Sequence, residues 1–107
     1  MSKQRHTILT QHLQELAATF VNTQSNKTSL ITITNTELAH SLDKIIFYVS
    51  VFPETAEGPA IGFLMRKRGE CKKYLREKSN INHIPHVEFM IDEGEKSRRR
   101  VDELLSE

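Results

Sequence analysis

The densest chemistry in this sequence is a run of cations. Arg66-Lys67-Arg68-Gly69-Glu70-Cys71-Lys72-Lys73-Tyr74-Leu75-Arg76-Glu77-Lys78 carries seven basic residues against two acids. Fixed positive charge at this density neutralises backbone phosphates, and the affinity it gives falls steeply with salt. Asn80, Asn82 and His83 follow directly, as polar groups able to hydrogen-bond sugars or base edges. A second cluster, Lys96, Arg98, Arg99 and Arg100, stands where a closing helix should begin. Cations are unfavourable there because the helix macrodipole is positive at that end. Glu93 and Glu95 offset part of the cost, and the remainder points to use of the arginines in binding. The plain alternative for both clusters is a solvated helix face, with Arg100 packing or pairing inside the fold.

Other chemistry is poorly supported. His83 and His86 with Cys71 lack a fourth ligand at metal-binding spacing. Cys71 falls on the apolar phase of its segment and has no His or Asp placed by sequence to activate it, so it reads as a small core residue. Four glycines, none adjacent to another, make no phosphate-cradling loop. The expectation is a protein without catalytic residues, metal, cofactor or small-molecule substrate.

These cations need elements to hold them. From Thr7 to Val21, Leu9, Leu13, Leu16 and Phe20 recur at helical spacing, with Ile8 and Ala17 widening the stripe. Asn22 to Thr28 is polar and reads as a loop. Leu30 to Leu38, with Ile31 and Ile33 alternating with Thr32 and Thr34, predicts a strand. Lys44 to Phe52 is apolar on both faces and predicts a central strand, joined to the first by a hairpin at Ala39 to Asp43. Pro53 ends it, because proline cannot donate to a ladder.

A helix from about Ala60 to Lys78 should follow, with Thr55 or Gly58 as N-cap and Pro59 in its first turn. Its buried phase reads Ile61, Leu64, Cys71 and Leu75. Arg68 interrupts that phase and Gly69 costs about 1 kcal/mol in a helix interior, so a kink is expected near them. After a turn at Asn80 to His83, His86 to Asp92 predicts a third strand, broken by Gly94. Glu95 to Leu105 predicts a closing helix docked by Val101, Leu104 and Leu105. The order α-β-β-α(kinked)-β-α predicts one α+β domain over residues 1–107, a three-stranded sheet with helices on one face. Its first five elements match the order of the type II KH fold.

Bulk properties agree. A chain of 107 residues is expected to form one domain. Lys and Arg total 15 against 14 Asp and Glu, yet eleven of the basic residues and six of the acids lie between Arg66 and Arg100. A neutral molecule with one positive side suits a polyanion. Cys71 is the one cysteine, which excludes an internal disulfide framework and fits a reducing compartment. The N-terminal residues show no secretory pattern, and no stretch approaches the roughly 20 apolar residues of a membrane span. The expected location is cytoplasmic.

The residues also resemble the ribosome-binding factor A family over nearly the whole chain. Ile84-Pro85-His86-Val87-Glu88-Phe89-Met90-Ile91-Asp92 is similar to the family's Pro-x-(Leu/Val)-x-Phe-x-x-Asp strand. Arg100-Val101-Asp102-Glu103-Leu104-Leu105 is similar to its Arg-Ile-x-x-Leu-Leu helix, and Glu37, Leu42 and Tyr48-Val49-Ser50 fall where the family has its hairpin and second strand. Gly69 matches the glycine of the family's Ala-x-Gly kink, with Lys67 in place of the alanine and Ser41 in place of a hairpin Asp. The Asp-Pro-Arg before the first strand is absent, so the chain reads as a divergent member.

The resemblance implies a type II KH-like fold and a non-catalytic monomer. It implies binding to the small (30S) ribosomal subunit and its 16S-type rRNA, and promotion of late maturation and 5′-end processing. Gly69 then joins the basic residues and asparagines above as an RNA contact. The competing readings are a KH-like protein acting on another RNA, and a protein-interaction module using the second strand with Ile46, Tyr48 and Phe52.

Overall fold

A computed structural model describes residues 3–24 and 29–105. Its elements are α1 (Lys3–Gln24), β1 (Leu30–Leu38), β2 (Lys44–Phe52), a short 3-10 turn (Glu54–Ala56), α2 (Glu57–Arg66), α3 (Arg68–Ser79), β3 (His86–Ile91) and α4 (Glu93–Leu105). The strand order is β1-β2-β3, with β2 antiparallel to β1 and parallel to β3. A parallel neighbour requires a long crossover, and α2 with α3 supplies it. The doubly apolar strand is therefore central, as its composition predicts.

The core lies between this sheet and α1, α2 and α3. Ile45, Phe47, Val49 and Val51 point inward from β2, and Val87 and Phe89 from β3. Leu13, Ala17, Phe20 and Val21 meet them from α1, Ala60 and Leu64 from α2, Cys71 and Leu75 from α3. Burial pushes the Cys71 thiol up to about 12, so it stays a neutral core residue. Ala60 takes the buried place expected of Ile61, which is half-buried, and Ile8 is exposed.

β1 keeps two phases. Ile33 faces Val49 and Asn35 faces Tyr48, so Thr34 is left over as a bulge. Before the bulge Ile31 is buried, and after it Thr36 and Leu38 are. Thr36 satisfies its hydroxyl by donating to Gln14 Oε1 at 2.6 Å. The Thr34 hydroxyl donates to Asp92 Oδ2 at 2.6 Å, while Asp92 Oδ1 accepts the Glu95 N–H at 2.9 Å. Asp92 thus lies just past β3, caps α4 and ties both to the bulge.

Several expectations change. α1 runs to Gln24, so Asn22 to Gln24 are helical rather than loop, and positions 25–28 lie outside the described residues. The long helix is two helices, and the break centres on Lys67 (φ −96°, ψ 5°), not on Arg68-Gly69. There the Lys67 N–H is shared between Phe63 and Leu64 carbonyls, and the Arg68 Nε–H donates to the Met65 carbonyl at 3.0 Å. Gly69 sits in the first turn of α3, where an added Cβ would meet nothing within 4 Å, so the break does not depend on glycine. α2 starts at Glu57 with Ala56 as N-cap, ahead of Pro59. Gly94 lies inside α4.

The largest correction concerns α4. Val101, Leu104 and Leu105 do not dock; all three are exposed. Ion pairs to the 3-10 turn and α2 link the helix to the body instead. Lys96 Nζ meets Glu57 Oε1 at 2.9 Å with both side chains largely buried, and Arg100 Nη2 meets Glu54 Oε2 at 3.2 Å. Lys96 and Arg100 are one turn apart on the same face, and Leu104 continues their row by one more turn.

Candidate nucleic-acid interface

Burial of Cys71 and Leu75 sets the rotation of α3. At 3.6 residues per turn, Gly69, Lys72 and Arg76 then fall on one flank, Glu70, Tyr74 and Glu77 on the other, and Lys73 between them on the solvent side opposite the core. The Tyr74 ring packs tilted against Phe20 of α1, ring centroids 5.6 Å apart, so the acidic flank is the one beside α1. Arg68 reaches the other way, its Nη1 3.2 Å from Glu88 Oε1 on β3. The cationic flank therefore borders β3, an edge strand of the sheet.

Between the helix break and β3 lies a groove of about 380 Å³, lined by Met65, Arg66, Arg68, Gly69, Lys72, His86 and Val87. Arg66, Lys72, Lys73, Arg76 and Lys78 pair with no carboxylate among the described residues. Lys78 Nζ lies 5.9 Å from the Tyr74 ring centre. Gly69 is exposed beside open space, so a phosphate backbone can approach the α3 N-terminus there without steric opposition. The arrangement offers cations at one wall and a free strand edge at the other, a shape that takes an extended single strand.

Not every predicted contact belongs to this groove. Lys67 sits at the break with its ammonium 3.4 Å from Glu70 and 5.9 Å from the Phe63 ring centre. Asn80 has φ 61° and ends α3 in the left-handed conformation, a backbone task that asparagine tolerates. Asn82 is exposed in the following turn. In α4, Lys96 is held by Glu57, Arg100 by Glu54, and Arg98 Nη2 lies 2.6 Å from Glu95 Oε2. The bond to Glu57 raises the Lys96 pKa, and the bond to Glu95 raises that of Arg98. The Arg99 side chain lies outside the described part. Of the expected contacts, Arg66, Lys72, Lys73, Arg76 and Lys78 on α2–α3 pair with no carboxylate among the described residues, whereas Lys67 and Arg68 there, and Lys96, Arg98 and Arg100 in the second cluster on α4, each pair with one.

The sequence reading missed Glu88. Its Oε1 accepts from both His86 Nε2, at 2.8 Å, and Arg68, and the His86 contact holds its carboxyl below the usual carboxylate range. The two-residue spacing of His86 and Glu88 on one strand face was the available signal. Glu88 restrains Arg68 and puts negative charge beside the groove. Glu88→Gln is expected to raise RNA affinity roughly fivefold at low salt, since one exposed charge at contact distance is worth about 1 kcal/mol. Filter binding against a single-stranded RNA measures it, and unchanged or weaker binding would show that Arg68 does not reach the ligand.

Sheet order, helix crossover and cationic groove define a KH-like two-layer α+β domain. The profile of the ribosome-binding factor A family matches residues 3–105, and the chain belongs to that family. It is 27% identical to the ribosome-binding factor A of Thermobifida fusca over 77 residues, 71% of this chain. The match spans about half of that relative's length, 51%. The fold is similar to the crystal structure of ribosome-binding factor A from Thermus thermophilus, with TM-score 0.72, 21% identity, and coverage of 79% of this chain and 92% of that one. A homology model of the Thermus thermophilus protein, fitted into a cryo-EM map of a 30S–RbfA complex, aligns with TM-score 0.70 and 21% identity over 78% of this chain and 90% of that one.

Proposed function

We propose that this protein is a non-catalytic assembly factor that binds the small ribosomal subunit through its rRNA. In this reading it acts as a cytoplasmic monomer, and its binding promotes late maturation of the subunit and processing of the rRNA 5′ end. The observation that carries the reading is the coincidence of family and surface. A chain of the ribosome-binding factor A family presents unpaired cations along a groove at the edge of its sheet. The related structure fitted into a 30S–RbfA map supports the choice of partner.

Gradient sedimentation with purified small subunits tests it. Co-sedimentation is expected at low salt, with log affinity falling linearly in log salt. Three or four phosphate contacts give a slope of about −2 to −4. Free RNA of matched length should compete poorly. Absence from the subunit fractions, or equal binding to any RNA, would refute a subunit-specific role.

A further inference from the structure

One carboxylate oxygen beside the groove serves two donors. Glu88 Oε1 accepts from His86 Nε2 at 2.8 Å and from Arg68 Nη1 at 3.2 Å. His86 and Glu88 stand two residues apart on one face of β3, and Arg68 reaches them from the start of α3. His86 and Arg68 both line the groove, and the Arg68 Nε–H is anchored on the Met65 carbonyl at 3.0 Å. The His86 side chain is 59% exposed, so protons from solvent reach it.

We propose that His86 is a positioning residue for Arg68: protonation of the imidazole compensates Glu88 and frees the guanidinium for an rRNA phosphate. The inference rests on the subunit-binding reading above. A carboxylate oxygen has room for two hydrogen bonds, so a neutral imidazole and Arg68 share Glu88. Arg68 is then the one cation bonded to that oxygen among the described residues. Protonation leaves the Nε2–H bond in place and puts a charge on its donor. Glu88 is now paired with His86, and the pull that holds Arg68 against β3 weakens.

Among the described residues lining the groove, His86 is the one whose charge changes near neutral pH. Histidine ordinarily titrates between pH 5 and 8, whereas lysine and arginine keep their charge there. The surrounding cations are Arg66 from α2, Lys72 from α3 and Lys44 from β2, the register partner of His86. Asp43 accepts the His86 backbone N–H at its carbonyl, 3.0 Å away, while its carboxylate takes the Ser41 hydroxyl. Glu88 stays ionised throughout this range, because the His86 bond holds its carboxyl below the usual carboxylate range.

Binding that favours the protonated imidazole tightens as the pH falls, and by reciprocity takes up protons. Sedimentation of the full chain with purified small subunits between pH 6 and 8, at fixed ionic strength, tests this. The parent is expected to bind about fourfold tighter at pH 6 than at pH 8. His86→Gln should flatten that profile, and Arg68→Gln should remove most of it. Glu88→Gln should bind tightly at both ends, with a change under about twofold. His83→Gln, altered in the exposed turn before β3, should keep the parent profile. A parent profile matching that of His86→Gln, or a full rise surviving in Arg68→Gln, would overturn the inference while leaving subunit binding intact. Failure to co-sediment at any pH would remove the subunit-binding reading and this inference with it.

Discussion

Replacing Arg66, Lys72, Lys73 and Arg76 together with glutamate is expected to weaken small-subunit binding by about a hundredfold or more, with the folded structure retained. Lys67 differs from these four in that it already engages Glu70 and the Phe63 ring. Each pairs with no acid among the described residues, so no internal contact opposes their use on phosphate. Reversal both removes attraction and adds repulsion, and the salt slope should lose about 3 of its value. Stability should change little, because surface substitutions away from caps and buried networks stay within about 0.5 kcal/mol each. Sedimentation across a salt series, with circular dichroism on the same samples, measures both. A variant that binds as the parent does would exclude the α3 flank as the interface. Arg98→Gln serves as the contrast, with affinity expected within about twofold, because that guanidinium is paired with Glu95.

The second large effect is on folding. Asp92→Ala should lower stability by about 2–3 kcal/mol, through loss of a helix cap and of a charge-assisted hydrogen bond. For a domain of this size that is a fall of about 10 °C or more in melting temperature. One carboxylate serves two elements, accepting from the Thr34 hydroxyl and from the Glu95 N–H. Those bonds hold its pKa below the ordinary carboxylate range, the Thr34 bond contributing most. A folded pKa below the unfolded one means that the stabilisation is complete above about pH 4. It disappears as the pH falls through the folded pKa. The parent should therefore lose stability in acid more steeply than Asp92→Ala does. Thr34→Val should cost less than Asp92→Ala, and the double variant less than the sum, since both remove one shared bond. Urea titrations between pH 3 and 7 read all three variants; additive losses would show that the bulge and the α4 cap are independent.

That bond also marks how far the residues speak for themselves. Asp92 was legible as the end of a strand pattern, yet nothing local placed Thr34 beside it, 58 positions away. The three strands were readable within a residue at either end, because alternation and proline signal them locally. The cationic stripe was readable as charge. Its facing was not, because that depends on which side of α3 the sheet buries.

The division has one physical origin. Composition and periodicity alone determined that this chain makes an α+β sheet with a broken crossover helix and carries its cations in the C-terminal half. Those are properties of neighbours in sequence, set by helical and strand repeat. Tertiary structure decided which cations remain available. Glu54 and Glu57 capture Arg100 and Lys96, Glu88 restrains Arg68, and the stripe from Arg66 to Arg76 is left open. It also left the leucines of α4 in solvent, against their own periodicity, while Lys96 and Arg100 of the same helix pair with Glu57 and Glu54, 39 and 46 positions away.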